Sequence, residues 1–334
     1  MEMRKPENRL EDVIYTKCPL RFGQDGKFRI LMVSDIHGGV GYAEKETVSS
    51  MQELVDRNQP NLVILGGDTA GPGRIHVENE SQLRSVLDGI TSPMEKAGIP
   101  WAHVYGNHDN NFGLSNERQQ AVYEAYPHCI SKAGPEEISG VGNYMLPVWD
   151  ASGKKILWNL FCLDSHRGMP DFVSQYGLPE DMEFLEPGGG QARFRPGMVY
   201  FDQIMWYWET SKALEKYVGG RIPALMFLHI PLREHLLIMN NREACDFTGN
   251  QLGAEECPPL NSGLFSACLQ RGDVRGIFCG HVHLNDFCGK YCGIMLGHDG
   301  YMSYHACHEK RTRGGRVFEI TAGESEFVTY MSYV

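Results

Sequence analysis

One repeated pattern constrains the fold of this chain more than any other feature: an apolar run of strand length, a polar turn, and then an amphipathic helix. It predicts strands at 28–34, 61–65 and 101–105 and helices at 44–58 and 81–97. Runs that are apolar throughout suit strands buried on both faces, and their alternation with helices predicts a parallel sheet with right-handed crossovers. Since ligands bind at the carboxyl ends of such strands, the polar turns are expected to carry the function.

The rest of the chain predicts a different arrangement, in which short strands and Gly-rich turns replace the regular alternation. The predicted elements are a hairpin at 144–149 and 155–163, a helix at 200–217, a strand at 224–228, a short helix at 262–270, and strands at 274–279, 316–320 and 327–330. Two stretches, 164–197 and 234–260, are predicted insertions, the first of them a loop or lid. The pattern alone therefore predicts one layered α/β domain over 1–334, with a core at about 26–321 and an antiparallel C-terminal half.

Composition and charge restrict the partners of the chain. The net charge of −11, with acids and bases interspersed, argues against a broad nucleic-acid-binding surface, because phosphate backbones need compensating Lys and Arg. The first fifteen residues contain no apolar segment typical of a secretory signal, and no apolar run is long enough to span a bilayer. The ten cysteines include no C-x-x-C pair. We therefore expect a cytoplasmic protein without nucleic-acid or membrane partners.

Five predicted strand ends carry side chains that could bind metal ions. These residues are Asp35 and His37; Asp68; Asn107 and His108; His229; and His281 with His283. A single Asp or His at such a position is usually turn chemistry or a hydrogen-bonded side chain. Turn chemistry does not explain five successive strand ends of this kind, because independent turns would not repeatedly place Asp, His and Asn at one edge of one sheet. The set suits Mn, Fe, Zn or Co better than the all-oxygen site that Ca prefers.

The spacing of these residues fits a shared site. Residues two apart on an extended strand end point the same way, so Asp35 and His37 are expected to reach one ion. The same holds for His281 and His283, unless that pair straddles two neighbouring ions. A carboxylate such as Asp68 could bridge two ions at the roughly 3.5–4 Å spacing of binuclear hydrolases.

Taken in this order, five motifs resemble the signature of the calcineurin-like metallophosphoesterases. They are Asp35-x-His37, Gly67-Asp68, Gly106-Asn107-His108-Asp109, His229 and Gly280-His281-x-His283. The resemblance implies the metallo-dependent phosphatase fold, a four-layer α/β sandwich of two facing mixed β-sheets flanked by helices. The segments 228–232 and 313–320 are similar to an intracellular branch related to the purple acid phosphatases. No tyrosine stands three residues after Asp68, so a ferric–tyrosinate centre is not expected.

The resemblance also implies a role for each position. Asp35, His37 and His283 would hold the first metal, Asp68 would bridge, and Asn107, His229 and His281 would complete the second. His108 would stabilise the transition state or protonate the leaving oxygen, and Asp109 would orient His108. Two divalent ions would supply metal-bound hydroxide, which attacks phosphorus in line with the leaving group and forms no covalent enzyme intermediate.

The implied function is a binuclear phosphoester hydrolase, first of all a phosphomonoesterase acting on a phosphorylated small molecule or a phosphoprotein. A phosphodiesterase acting on cyclic nucleotides or other diesters fits the same residues, and a metal-binding scaffold without catalysis is a further alternative. Candidate substrate contacts are His166 and Arg167, which follow the strand at 155–163, and Arg233, which follows the His229 turn. Arginine suits this role because its guanidinium can bind phosphate through two parallel hydrogen bonds.

Overall fold

The computed structural model describes residues 10, 14–38, 45–71, 77–110, 113–169 and 196–334. The strands are β1 Leu20–Arg21, β2 Lys27–Val33, β3 Leu62–Leu65, β4 Trp101–His103, β5 Tyr144–Trp149, β6 Ile156–Cys162, β7 Ala224–Phe227, β8 Val274–Cys279, β9 Cys288–Tyr291, β10 Ile294–His298, β11 Gly314–Thr321 and β12 Phe327–Tyr333. The α-helices are α1 Lys45–Asn58, α2 Glu80–Ile90, α3 Ser92–Ala97, α4 Asn116–Glu124, α5 Phe201–Val218, α6 Arg233–Asn240 and α7 Leu264–Arg271. Short 3-10 helices cover Glu243–Cys245 and Lys310–Thr312.

A five-stranded sheet contains the alternating region that the sequence predicted. Its strand order is β12-β11-β2-β3-β4. Strands β2, β3 and β4 are parallel, with Ile30 opposite Leu62 and Val63 opposite Trp101. On the other side of β2, strand β11 runs antiparallel to β2 and β12 runs antiparallel to β11. The C-terminal strands therefore extend the parallel part as an antiparallel pair.

A seven-stranded sheet contains the remaining strands, in the order β1-β5-β6-β7-β8-β10-β9. Strands β5 and β6 form the predicted antiparallel hairpin, whereas β6, β7, β8 and β10 are parallel neighbours. Strand β9 pairs with β10 as an antiparallel edge strand. Because parallel strands end at the same edge, this sheet also presents a row of strand ends at which side chains can meet.

Three buried apolar layers show that the two sheets face each other between two layers of helices. The central layer joins the inner faces of both sheets and includes Ile30, Phe227 and Phe278. A second layer packs α1 to α4 on the five-stranded sheet, and a third packs α5 to α7 on the seven-stranded sheet. Along β2, Ile30 faces the other sheet and its neighbour Leu31 faces the helices, as strand geometry requires. The four-layer α/β sandwich expected from the resemblance is confirmed.

Local sequence explains where two of the helices form. Helix α1 buries Met51, Leu54 and Val55 along one face, which is the spacing that predicted it. Helix α2 begins after Asn79, whose Oδ1 accepts a hydrogen bond from the Gln82 amide at 3.0 Å. Across the described ranges, no helix combines the length and the apolar character needed to cross a membrane.

The single helix predicted at 81–97 is in fact two helices, α2 and α3, that meet at Thr91. The amide and the hydroxyl of Thr91 both donate to the carbonyl of Leu87, each at 2.8 Å, and close the last turn of α2. Pro93 lies in the first turn of α3, where no amide is needed, but it prevents α2 from continuing. The apolar spacing runs across this break, so the pattern did not reveal it.

The two predicted insertions differ in what the structure contains of them. Most of 164–197 lies outside the described residues. The stretch 234–260 includes most of α6 and one of the 3-10 helices, neither of which was predicted. The assignment of the whole chain to one domain with these two insertions remains a prediction.

Candidate metal centre

The ends of five strands bring the predicted metal ligands together, and these strands belong to both sheets. In the five-stranded sheet, β2, β3 and β4 lead to Asp35, Asp68 and Asn107. In the seven-stranded sheet, β7 leads to His229, and β8 leads to the His281 turn. The expectation of one edge of one sheet was therefore wrong. Strand pairing decides which sheet a strand joins, and apolar runs of similar composition do not encode that choice.

Four of the predicted ligands have a left-handed backbone conformation, with φ of 51° at Asp35, 51° at His37, 50° at Asp68 and 72° at His281. The prediction that Asp35 and His37 lie on an extended strand end was wrong. Strand β2 stops at Val33, and the Asp35 amide then donates to Gly67 O at 3.0 Å and the His37 amide to Asp68 O at 2.9 Å. Such a conformation costs about 1–3 kcal/mol at a non-glycine residue and clusters at functional sites. These turns, rather than strand alternation, direct both side chains into the centre.

Asp35, His37 and His283 form a first cluster of candidate ligand atoms. Oδ1 of Asp35 lies 3.1 Å from Nε2 of His283 and 3.9 Å from Nε2 of His37, and the two imidazole nitrogens are 3.2 Å apart. Ligands of one ion are separated by similar distances, since metal–ligand bonds are about 2.0–2.3 Å long. The structure thus brings together the three residues that the resemblance assigns to a first metal.

Asp68, Asn107 and His229 form a second cluster beside the first. Oδ2 of Asp68 lies 3.4 Å from Nε2 of His229 and 3.8 Å from Nε2 of His37. Oδ1 of Asn107 lies 3.1 Å from the same nitrogen of His229. The Asp68 carboxylate therefore faces both clusters, as a bridging ligand must.

His281 lies beside the second cluster, with its ring centroid 5.3 Å from that of His229. Its backbone amide donates to Oδ2 of Asp35 at 2.9 Å, and its Nε2 is 3.6 Å from a carboxylate oxygen of Glu256. Glu256 was not among the residues predicted at this centre. It belongs to the 234–260 stretch, which carries no motif, so no sequence signal could have found it.

Backbone carbonyls orient two of the imidazoles. Nδ1 of His37 lies 2.6 Å from Gly71 O, and Nδ1 of His229 lies 2.9 Å from Gly66 O. When each Nδ1–H donates to its carbonyl, the Nε2 lone pairs face the carboxylates. Histidines that bind metals usually have such a support, so this set of donor atoms fits divalent cations.

Buried negative charge makes the centre attract cations. Asp35 and Asp68 are 0% and 1% exposed. Burial opposes their ionisation, but neighbouring imidazoles outweigh it and lower the pKa of both carboxyl groups. In return, and against the effect of burial, the carboxylates raise the pKa of His229 and of His283 to about 10. Divalent ions can replace these protons, because a metal ligand must be deprotonated.

Asp109 supports the turn that carries Asp68. Its carboxylate accepts hydrogen bonds from four backbone amides, those of Gly106 at 2.7 Å, Asp68 at 3.0 Å, Thr69 at 2.9 Å and Ala70 at 3.2 Å. Burial and the charge of Asp68 raise the pKa of Asp109 to about 7, and the amide hydrogen bonds oppose that rise. These contacts do not support the prediction that Asp109 orients His108. They assign Asp109 to positioning the Asp68 turn.

His108 lies at the more exposed side of the centre. Its half-buried ring has its centroid 5.7 Å from that of His37, and its backbone amide donates to Oδ1 of Asp68 at 2.8 Å. Burial lowers the pKa of the imidazole, and the Asp68 carboxylate opposes this effect. His108 therefore has the location expected of a residue that meets a substrate arriving from solvent.

The three predicted substrate contacts are held in different ways. His166 is half-buried and stacks on Tyr200, with ring centroids 3.9 Å apart. Arg233 is half-buried, and its guanidinium donates to two proline carbonyls at 3.1 and 3.4 Å. Arg167 is exposed. These contacts do not join the three side chains to either cluster, so their role in substrate binding stays a prediction.

Two buried residues behind Asp35 were missed by the sequence analysis. The hydroxyl of Ser34 lies 2.6 Å from Oδ2 of Asp35 and 2.7 Å from Oδ1 of Asp299. The single hydroxyl proton cannot serve two carboxylates, and burial raises the pKa of Asp299 to about 7, so Asp299 can supply the second proton. The pair holds the Asp35 carboxylate in place. Ser34 is next to a motif, but Asp299 carried no signal in the sequence.

Known proteins resemble this chain in sequence. A family model described as calcineurin-like phosphoesterase matches residues 28–285. Probable inactive purple acid phosphatase 14 of Arabidopsis thaliana is 30% identical over 317 residues, which cover 86% of this chain and 73% of that protein. Phosphatase DCR2 of Saccharomyces cerevisiae is 26% identical over 339 residues, which cover 92% of this chain and 54% of that protein.

Solved structures resemble this chain in fold. A dimetal phosphatase from Danio rerio has a TM-score of 0.52 at 15% identity, covering 91% of this chain and 98% of that chain. GAP50, described as the anchor in the inner membrane complex of Plasmodium, has a TM-score of 0.50 at 11% identity, covering 92% of this chain and 84% of that chain. At such low identity, the likeness shows the shared fold alone.

Proposed function

Since the chain belongs to the calcineurin-like phosphoesterase family, we propose that it is a phosphomonoesterase that works with two divalent metal ions. The observation that carries this proposal is the location of the buried Asp68 carboxylate, 3.4 Å from His229 and 3.8 Å from His37. A carboxylate shared by two clusters of ligands suits a pair of ions about 3.5–4 Å apart.

Seven residues would hold the two ions. Asp35, His37 and His283 would bind the first, Asn107, His229 and His281 the second, and Asp68 both. Such ions, of the Mn, Fe, Zn or Co type, would activate water and neutralise charge on the phosphate oxygens. The chain itself contributes the burial of both carboxylates and the backbone carbonyls that turn the imidazole lone pairs toward them.

His108 would act on the leaving group. Its backbone is tied to Asp68, and its ring lies beside His37 at the side of the centre that solvent reaches. From there its imidazole could give a proton to the leaving oxygen, or donate a hydrogen bond to the phosphoryl group as charge develops. Either action needs a ring that touches the substrate, and partial exposure permits this.

The proposed substrate is a phosphorylated small molecule or a phosphoprotein. A phosphomonoester carries up to two negative charges on its terminal oxygens, whereas a diester carries one. Two divalent ions therefore attract the monoester more strongly. Arg167 is exposed, and we expect its guanidinium to offer a further positive charge to the substrate.

The test is hydrolysis of p-nitrophenyl phosphate and of bis(p-nitrophenyl) phosphate by protein that is stripped with a chelator and reloaded separately with Mn, Fe, Zn or Co. We expect faster turnover of the monoester, loss of turnover with the chelator, and recovery with at least one metal. Dominant turnover of the diester would instead favour a phosphodiesterase and contradict the proposal.

A metal-binding scaffold without catalysis is a second candidate function, because three relatives are named as probable inactive purple acid phosphatases. This chain keeps all seven proposed ligands and His108, with both carboxylates buried among imidazoles. The complete set of ligands together with His108 favours an enzyme over a scaffold. Protein that binds two metal equivalents and turns over neither ester would support the scaffold.

A further inference from the structure

A second group of metal-binding residue types lies outside the candidate metal centre. It consists of His235 in the first turn of α6, Cys279 at the end of β8 and His298 at the end of β10. All three side chains are fully buried. Cys279 and His298 stand opposite each other in the parallel pairing of β8 with β10. The proposed phosphatase reaction uses none of them.

Distances within this group match those between ligands of a single ion. Sγ of Cys279 lies 3.5 Å from Nε2 of His235 and 3.4 Å from Nδ1 of His298. Tetrahedral Zn²⁺, with bonds of about 2.3 Å to sulfur and about 2.0 Å to nitrogen, separates such atoms by about 3.5 Å. Each of the three residues has a ligand atom within 4.8 Å of those of the other two. Small shifts of the side chains would be enough to admit an ion.

Further contacts orient both imidazoles toward the sulfur. Nε2 of His298 lies 3.1 Å from a carboxylate oxygen of Glu255, which is fully buried. Nδ1 of His235 lies 3.2 Å from Leu232 O. When these N–H groups donate outward, each ring presents its remaining lone pair to Cys279. A carboxylate behind a ligating histidine is the usual support in zinc sites.

A hydrogen-bonded group without an ion is the competing explanation. The Leu232 amide is also 3.1 Å from Nδ1 of His235, and Gly280 O is 3.3 Å from Nδ1 of His298, so the other tautomers have partners too. The buried negative charge of Glu255 favours a bound ion over this explanation. The Glu255 carboxylate, which is fully buried and lies 3.1 Å from Nε2 of His298, brings negative charge into the group, and a divalent cation would balance it.

The second carboxylate oxygen of Glu255 also favours a bound cation. It is buried and has no hydrogen-bond partner within the described ranges. A buried carboxylate that is only partly satisfied is costly, and a divalent cation next to His298 would offset that cost.

We propose that His235, Cys279 and His298 are the three protein ligands of a zinc site and that Glu255 orients His298. This site goes beyond the proposed phosphatase function and does not depend on it. Binding of Zn²⁺ displaces the thiol proton of Cys279, which is released to solvent. The ion joins α6 and the segment around Glu255 to β8 and β10. It thereby holds the two turns of the seven-stranded sheet that carry ligands of the candidate metal centre.

The test uses Co²⁺ as a probe, because a thiolate bound to Co²⁺ gives a charge-transfer absorption that carboxylates and imidazoles do not give. The full chain is produced in zinc-depleted medium with added Co²⁺. It carries Asp68→Asn, which weakens the candidate metal centre, and Cys307→Ser, because Cys307 lies beside His283. We expect the absorption in this protein, and its loss together with one metal equivalent when Cys279→Ser is added.

Additional variants separate metal binding from folding, which circular dichroism monitors. If Cys279→Ser does not fold, Glu255→Gln keeps all three ligands and should lower Co²⁺ affinity by about 10–100-fold in competition with a chelator. Cys268→Ser changes another fully buried cysteine, on α7, and should leave the absorption intact. A folded parent protein without the absorption would overturn the proposal. So would absorption that persists in folded Cys279→Ser, or Glu255→Gln with unchanged affinity.

Discussion

The residues of the candidate metal centre and the predicted substrate contacts are held in different ways. The name floor is used for Asp35, His37, Asp68, Asn107 and His229. The name rim is used for His108 together with the three residues predicted to contact substrate, which are His166, Arg167 and Arg233. Every floor residue is buried and lies two to four residues beyond the end of a strand of one of the two sheets. The rim residues are half-buried or exposed. Apart from His108, their described contacts lead to loops and to helix α5 rather than to the floor.

The difference reflects how many hydrogen bonds fix each part. Asp109 alone joins four amides around the Asp68 turn, and carbonyls fix the rings of His37 and His229. Arg167 is exposed, and exposed side chains keep more rotational freedom. Rigidly held ligands keep the geometry that the reaction needs, whereas side chains on loops can be replaced or moved to suit a different substrate. Changes in the floor or at His108 should therefore lower turnover, whereas changes at His166, Arg167 or Arg233 should alter KM.

Asp68→Asn should have the largest effect. It removes the charge that faces both clusters, so turnover of p-nitrophenyl phosphate should fall more than about 10⁴-fold, beyond the loss expected for one general acid. Metal content measured by mass spectrometry should fall below two equivalents. Asp56→Asn, on the exposed face of α1, should change neither quantity. Two metals still tightly bound to the Asp68→Asn protein would remove the bridging role.

His108→Ala tests the rim residue that lies nearest the floor. We expect kcat to fall by about 10²–10⁴-fold, the usual contribution of a general acid, while both metals stay bound. His308→Ala changes an exposed histidine and serves as the control. Full turnover of the His108→Ala protein, with metals present, would contradict a catalytic role.

Asp109→Asn tests whether support of the floor matters as well as its ligands. Each oxygen of Asp109 accepts two of the four amides, and an asparagine side chain accepts through its single oxygen, so two amides lose their partner. We expect metal affinity to fall by about 10–100-fold and the free energy of unfolding by about 1.5–3 kcal/mol. The control is Asp150→Asn, which alters a carboxylate that accepts the Lys154 amide in the β5–β6 turn. Equal metal affinity in the two variants would contradict the supporting role.

Arg167→Ala should have the smallest effect, a rise in KM of about 5-fold or less with unchanged kcat, because exposed ion pairs contribute little. Arg233→Ala should change KM even less, since its guanidinium is already bound to the carbonyls of Pro258 and Pro259. Steady-state kinetics on p-nitrophenyl phosphate measures both. A lower kcat with an unchanged KM in either variant would contradict the expectation that these two arginines affect substrate binding rather than turnover.

Secondary structure was predictable where burial requires an apolar pattern. Strands β2, β3 and β4 were each predicted to within two residues at either end, because a strand buried on both faces must be apolar at nearly every position. Helix α4 was missed for the opposite reason. It buries Gln119 and Gln120 beside Val122 and Tyr123, so it shows no apolar stripe. Gln119 donates to the backbone carbonyls of Asp109 and Leu114, and a local sequence pattern cannot predict such a contact.

By itself, the sequence determined which side chains stand at the ends of the buried strands. A polar turn after an apolar run must lie at the edge of a sheet, so the residue types of the floor could be named without a structure. Only the tertiary structure decided that these strand ends come from two sheets and that left-handed turns aim the side chains inward. It also placed Asp299 behind the floor and assembled the buried group around Cys279. These contacts join residues far apart in the chain, and they exist only because two sheets and their helices pack together.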